Sequence, residues 1–232
     1  MLQCIGMSVY RNMNALSAPR FRFKNLFWLS RGYSILKVNF AGSTSFGQNF
    51  RKVPCDEYLT ASVDDLEDAV LSLEHESQNL PTTIFGAGFS YGASCIVQLL
   101  ATTDLLSGGI AMHGIYDYES AYATQNMKQT LTSRLGKPWE SPENYEKASP
   151  INNAHNIGDP LLLITGENDS RGSPQQSEQL YTYLADLGTD VTLHTYPDVG
   201  SSVYRPAEVF LDRLEKTESW LVEHSSGGDQ GE

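Results

Sequence analysis

The sequence predicts an α/β fold, in which a mostly parallel sheet is covered by helices on both faces. Segments with strand character alternate with segments that carry apolar residues at helical spacing along nearly the whole chain. The predicted strands are continuous apolar runs, which is typical of strands buried on both faces. Because no linker or repeat interrupts this order, we expect one domain over residues 1–224, followed by a disordered tail over residues 225–232.

The predicted strands are short apolar segments bounded by turn-forming residues. They cover residues 2–10, 33–40, 82–88, 108–114, 160–166 and 190–197. The predicted helices cover residues 17–31, 62–76, 91–103, 174–188 and 206–224. Gly32 is a natural helix stop, and Ser62 with Asp65 resembles a capping box. Residues 115–150 do not follow the alternation, so we expect them to form an excursion over the sheet.

Composition and charge exclude several classes of partner. The net charge is −12 and the isoelectric point is near 4.8, which argues against nucleic acid and anionic membranes, because both require a basic surface. The sequence has no 18-residue apolar run and no signal-peptide layout at its N-terminus. Cys4, Cys55 and Cys95 have no metal-ligand spacing, so we expect free thiols in the cytoplasm and neither a metal nor a cofactor.

The segment FGAGFSYGASC, residues 85–95, places Ser90 between a predicted strand and a predicted helix. Gly88 and Gly92 flank Ser90 at two residues on either side, which is the setting of a nucleophile elbow. In such a turn the backbone N–H of Tyr91 is one donor of the oxyanion hole. The alternative is a glycine-rich turn in which Ser90 only caps the helix. The elbow interpretation predicts an α/β-hydrolase fold.

Asp169 is the candidate acid. It lies three residues after Gly166, in the turn that follows the strand over residues 160–166. Active groups of α/β folds lie at the carboxyl ends of strands, and the hydrolase order Ser, Asp, His places the acid in this turn. Glu167 competes for the role, and the other alternative is that Asp169 only caps a turn.

The segments RGYSILKVNFAGSTSFGQNFR, FGAGFSYGAS and PLLLITGENDSRGSPQQSEQLYTYL resemble the catalytic domain of the prolyl oligopeptidase family of serine peptidases. The resemblance runs from about residue 2 to residue 222. It implies hydrolysis of a peptide or small ester, with Ser90 as nucleophile and Asp169 as acid. It also implies a β-propeller before this domain, which this sequence does not contain. We therefore expect a partner domain or subunit in its place, or a chain that is a fragment, a shortened relative or one product of a split gene.

The resemblance breaks down at the catalytic base. In the family, a Tyr-Pro pair and a short acidic turn precede the catalytic histidine. Here residues 196–206 read YPDVGSSVYRP, with Ser201 at the histidine position. A serine hydroxyl cannot accept a proton near neutral pH. His113 is the substitute base that the sequence offers, because it ends the strand over residues 108–114 on the same sheet edge as Ser90. The alternative is that His113 is a satisfied, half-buried polar residue.

Two further departures surround the expected site. Tyr10 falls where some members carry an oxyanion-stabilising tyrosine, but the family's glycines are absent from residues 10–13. The family's Asn-Tyr-Arg-Gly-Ser appears as Asn-Phe-Ala-Gly-Ser over residues 39–43, without the arginine. Two hypotheses follow: a serine hydrolase that works by acyl transfer through Ser90, and a catalytically inactive pseudoenzyme or binding subunit on the same fold.

Overall fold

A single parallel sheet forms the centre of the protein. The computed structural model describes residues 3–9, 23–43, 46–76, 83–200 and 206–225. Within these residues the strands are β1 (Gln3–Val9), β2 (Tyr33–Ser34), β3 (Ile84–Phe89), β4 (Gly109–Met112), β5 (Leu161–Gly166) and β6 (Val191–Tyr196). Their order in the sheet is β2-β1-β3-β4-β5-β6, and every neighbouring pair is parallel. The predicted parallel sheet is confirmed.

Helices cover both faces of this sheet, as the sequence predicts. They are α1 (Phe23–Ser30), α2 (Gln48–Arg51), α3 (Thr60–Glu76), α4 (Tyr91–Thr102), α5 (Tyr118–Thr124), α6 (Lys128–Leu135), α7 (Pro142–Ala148), α8 (Pro174–Asp186) and α9 (Ala207–Ser225). One apolar cluster joins the sheet to α3, α4 and α8, and it includes Leu66, Leu99 and Leu180. A second cluster joins the opposite face to α1 and α9 through Trp28 and Trp220. The predicted excursion over residues 115–150 contains the short helices α5, α6 and α7.

The predicted strand over residues 33–40 is too long. Only Tyr33 and Ser34 pair with β1, opposite Gln3 and Cys4. β2 is an edge strand with one neighbour, so pairing ends where the chain diverges from β1. The apolar run is nevertheless explained, because Phe40 is buried in the core. Residues 17–22 of the predicted first helix and residues 226–232 of the predicted tail lie outside the described residues.

Two further expectations from the sequence concern membrane-spanning helices and the cysteines. In the part of the chain that the structure describes, no helix is both long and apolar enough to cross a membrane. Cys95 is buried in α4, and Cys55 is an exposed free thiol.

Candidate active site

Ser90 occupies a strained turn between β3 and α4. Its φ of 53° and ψ of −122° lie outside the regions that a non-glycine residue favours, at a cost of about 1–2 kcal/mol. The turn is held by its neighbours: the Ser90 N–H donates to the carbonyl oxygen of Met112 at 2.8 Å, and Ala93 N–H donates to that of Ser90 at 2.8 Å. The Ser90 side chain makes no capping hydrogen bond to α4, which argues against the alternative that it only caps the helix.

Tyr91 is fixed by its ring, so its expected contribution is that of its backbone. The Tyr91 hydroxyl is hydrogen-bonded to the Ser62 hydroxyl at 2.9 Å and donates to the carbonyl oxygen of Tyr58. Burial raises the pKa of the Tyr91 phenol well above its ordinary value. The Tyr91 N–H is at the first position of α4, a helix end that stabilises negative charge. Tyr10, the second predicted oxyanion donor, lies outside the described residues.

Asp169 follows β5 and is almost completely buried. Its Oδ1 accepts hydrogen bonds from the backbone N–H groups of Arg171 at 2.8 Å and Gly172 at 3.0 Å. Burial alone would raise the pKa of Asp169, but the hydrogen bonds from His113, Arg171 and Gly172 outweigh burial and lower it below its ordinary value. Asp169 is therefore a carboxylate at neutral pH. The alternative acid, Glu167, is exposed.

His113 is the residue that contacts this carboxylate. Its Nδ1 lies 2.8 Å from Oδ2 of Asp169, and the two side chains are 2% and 0% exposed. The His113 backbone has a φ of 52°, in the left-handed region, and its N–H donates to the carbonyl oxygen of Ile164 at 2.8 Å. The ring lies beside Phe89, with 5.2 Å between ring centroids.

The second nitrogen of His113 has no such neighbour. Within the described residues, Nε2 is buried and has no hydrogen-bond partner. The alternative of a satisfied, half-buried histidine is therefore wrong in both respects, because His113 is fully buried and only one of its nitrogens is satisfied. A buried nitrogen without a partner carries a free-energy cost, so its presence here calls for an explanation.

Ser201, which the sequence resemblance predicts at the position of the family's histidine, lies outside the described residues. The turn that leads to it stays close to the turn that carries Asp169. Asn168 N–H donates to the carbonyl oxygen of Val199 at 2.9 Å. A Cβ on Gly166 would lie 2.2 Å from that same oxygen, so position 166 requires glycine. As far as Gly200, the chain after β6 therefore packs against the turn over residues 167–172 that carries Asp169, which we call the acid turn.

Sequence reasoning missed one residue that positions this region. Gln176, on α8, is buried, and its Oε1 accepts the backbone N–H groups of Tyr116 and Asp117, each at 2.8 Å. These bonds join α8, which follows the acid turn, to the segment that follows His113. No sequence motif marks Gln176, because its partners are backbone groups about 60 residues away.

Comparison with known proteins identifies the family of this chain. A model of the prolyl oligopeptidase family matches residues 19–228. The chain is 30% identical over 188 residues to dipeptidyl aminopeptidase BIII of Pseudoxanthomonas mexicana, an alignment that covers 77% of this chain and 27% of that protein. It is 30% identical over 209 residues to a probable chloroplastic glutamyl endopeptidase of Oryza sativa subsp. japonica, covering 88% and 21%. The chain thus spans about a quarter of the length of these relatives.

Solved structures show the same fold. The acylaminoacyl peptidase of Pyrococcus horikoshii superposes with a TM-score of 0.83 at 24% identity, covering 95% of this chain and 36% of that one. A puromycin-hydrolyzing peptidase of Mycobacterium tuberculosis superposes with a TM-score of 0.81 at 25% identity, covering 87% and 31%. These neighbours confirm the α/β-hydrolase fold. Since the family model spans most of the sequence, the chain belongs to the prolyl oligopeptidase family of serine peptidases.

Proposed function

We propose that this chain is a serine hydrolase that transfers the acyl group of a peptide or small ester to Ser90. The observation that carries the proposal is the strained turn that presents Ser90 at the carboxyl edge of the sheet. Ser90 follows β3, and the buried carboxylate of Asp169 follows β5, two strands away at the same edge. Strained residues persist only where their surroundings fix them, and they cluster at active sites. Family membership supports the reaction class, and the peptidase names of the relatives support peptides as substrates.

Each residue has a separate role in this proposal. Ser90 attacks the carbonyl carbon of the substrate, and the oxyanion forms next to the N-terminus of α4, where the Tyr91 N–H is one donor and Tyr10 the second. One such donor contributes about 10²–10³-fold to turnover in enzymes where it has been removed. Asp169 orients an imidazole and stabilises its protonated form, the role of the acid in any Ser-His-Asp site. The proposal also includes a partner domain or subunit in the place of the family's propeller.

The second candidate is a non-catalytic binding subunit. One feature of the sequence favours it, namely the serine at position 201, where the resemblance predicts the family's catalytic histidine. In that case the site binds a peptide at the strand ends without cleaving it. The two candidates differ in one measurable respect: only the first makes turnover depend on the Ser90 hydroxyl.

The test is steady-state hydrolysis of p-nitrophenyl butyrate and of an aminoacyl p-nitroanilide. We compare the parent chain with Ser90→Ala and with the control Ser133→Ala, an exposed serine of α6. Hydrolysis that is lost in Ser90→Ala and kept in Ser133→Ala supports the proposal. Equal, measurable turnover in all three proteins overturns it. Binding of the aminoacyl p-nitroanilide in calorimetry, without turnover in any of the proteins, would favour the second candidate.

A further inference from the structure

We infer that His113 is the general base that activates Ser90, so that the imidazole of this site comes from the end of β4 rather than from the position of Ser201. The inference rests on the proposed function, since it requires Ser90 to act as the nucleophile. Three features of the described residues carry it: the order of the strands, the backbone of His113, and the hydrogen bonding of its ring.

The order of the strands places His113 between the nucleophile and the acid. β4 lies between β3 and β5, and its residue Met112 pairs with Phe89 on one side and with Ile164 on the other. Ser90 follows Phe89 and His113 follows Met112, so the two residues are cross-strand neighbours at the carboxyl edge. The Ser90 N–H bond to the Met112 carbonyl oxygen, at 2.8 Å, extends the pairing of β3 and β4 to this point.

The backbone of His113 is held in a conformation that is uncommon for any residue other than glycine. Its φ of 52° lies in the left-handed region and ends the regular strand. The acid turn fixes it there, because a Cβ on Gly172 would lie 2.3 Å from the His113 carbonyl oxygen. Ser90 and His113 thus both have positive φ at adjacent strand ends. Such outliers are expected where a site holds reacting groups in place.

Hydrogen bonding fixes the proton on the ring. Asp169 is an acceptor only, with Oδ1 bonded to two backbone N–H groups and Oδ2 bonded to His113 Nδ1. In neutral imidazole one nitrogen carries the proton, so the carboxylate assigns it to Nδ1 and leaves a lone pair on Nε2. This is the tautomer that a general base requires, and within the described residues no group satisfies that lone pair.

In the proposed reaction, Nε2 of His113 accepts and returns one proton in each of two steps. As Ser90 Oγ bonds to the substrate carbonyl carbon, its proton moves to Nε2, and Asp169 stabilises the imidazolium. When the carbon–nitrogen or carbon–oxygen bond to the leaving group breaks, Nε2 returns the proton to the departing amine or alcohol. Water then attacks the acyl ester, giving a proton to Nε2, and that proton passes to Ser90 Oγ as the acid product leaves.

The described residues include no hydrogen bond between Ser90 Oγ and His113 Nε2. The base therefore has to close this contact when substrate binds, as happens in many hydrolases whose catalytic hydrogen bonds are long without a ligand. The competing explanation is that His113 and Asp169 are a buried pair that only stabilises the acid turn. The two explanations differ in what happens when the donor to Asp169 is kept and the base is removed.

The variant His113→Asn distinguishes the two explanations, because it keeps a donor to Asp169 and removes the base. Asparagine tolerates a positive φ, and its amide N–H can donate to Asp169 in place of Nδ1–H, but it provides no basic nitrogen. His155→Asn, at an exposed histidine outside the site, is the matched control. We measure the rate constant for labelling of Ser90 by a fluorophosphonate, together with the thermal unfolding midpoint of each protein.

We expect His113→Asn to slow labelling by about 10²–10⁴-fold with little change in unfolding, and His155→Asn to label at the parent rate. Parent-rate labelling in folded His113→Asn overturns the inference and leaves the proposed function standing. No Ser90 labelling in the parent overturns both. If His113→Asn does not fold, His113→Gly decides: a rate that rises with added imidazole supports the base, and a rate indifferent to it overturns the base.

Discussion

Gly88 and Gly92 approach so closely beneath Ser90 that a Cβ on Gly88 would lie 2.1 Å from the carbonyl oxygen of Gly92. The obstacle is backbone, which cannot move aside without displacing the start of α4. The glycine spacing seen in the sequence is therefore a steric requirement of the turn, and it links Gly88 directly to the conformation of Ser90.

We predict that Gly88→Ala reshapes the turn and abolishes Ser90-dependent ester hydrolysis. The added methyl group also destabilises the fold by about 1–3 kcal/mol, the usual cost of overpacking. Urea denaturation measures the free energy of unfolding. Gly158→Ala is the control, because a Cβ there would meet nothing within 4 Å. Parent activity in Gly88→Ala would show that the turn does not need this approach.

Asp169 should make the stability of the protein depend on pH. Its pKa is lower in the folded state than its ordinary value, so its contribution is complete above about pH 4 and is lost as pH falls through the folded pKa. At pH 7 we expect Asp169→Asn to be about 1–3 kcal/mol less stable than the parent, because charged hydrogen bonds are lost.

The difference in the free energy of unfolding between the parent and Asp169→Asn should then shrink in urea titrations carried out below pH 4. The control Asp64→Asn, on the exposed side of α3, corrects for the removal of one surface carboxylate. A difference that stays constant from pH 7 to pH 3 would mean that Asp169 is not held as a stabilised carboxylate.

We expect Gln176 to contribute to the free energy of unfolding, although no sequence motif marks it. Gln176→Leu leaves the N–H groups of Tyr116 and Asp117 without their acceptor, at a cost of about 1–3 kcal/mol for a buried donor. Chemical denaturation should show this loss, and the half-buried control Gln179→Leu should show much less of it. Equal effects of the two substitutions would remove the special role of Gln176.

Restoring the family's histidine tests where the chain after Gly200 runs. In a His113→Ala background, Oδ2 of Asp169 is released from His113, and we expect Ser201→His to raise ester turnover at least about tenfold above that background. The gain should disappear when Ser90→Ala is added. With His113 retained, the new imidazole must compete for Oδ2, so the gain should be smaller. No gain in either background would contradict the alignment of Ser201 with the family's histidine.

Local sequence patterns were sufficient to predict the sheet, most helices and the turn at Ser90. Apolar runs, helical spacing and paired glycines act over a few residues, so they can be read in order along the chain. The length of β2 could not be predicted in this way. Whether residues 35–40 pair depends on the path of a neighbouring strand, which the local pattern does not contain.

The contact between His113 and Asp169 was also beyond the local pattern. The sequence identified both residues as candidates, but 56 positions separate them. Their meeting depends on β4 lying between β3 and β5 and on the left-handed backbone of His113. A positive φ is uncommon for any residue other than glycine, so histidine at position 113 does not predict it from sequence alone.

Mass spectrometry after fluorophosphonate treatment shows whether Ser90 is a working nucleophile. The folded parent chain should gain the mass of one adduct, and peptide mapping should place that adduct on Ser90, with no adduct in Ser90→Ala. A folded parent that remains unmodified, or one that carries its adduct on a different serine, would mean that Ser90 is not the nucleophile.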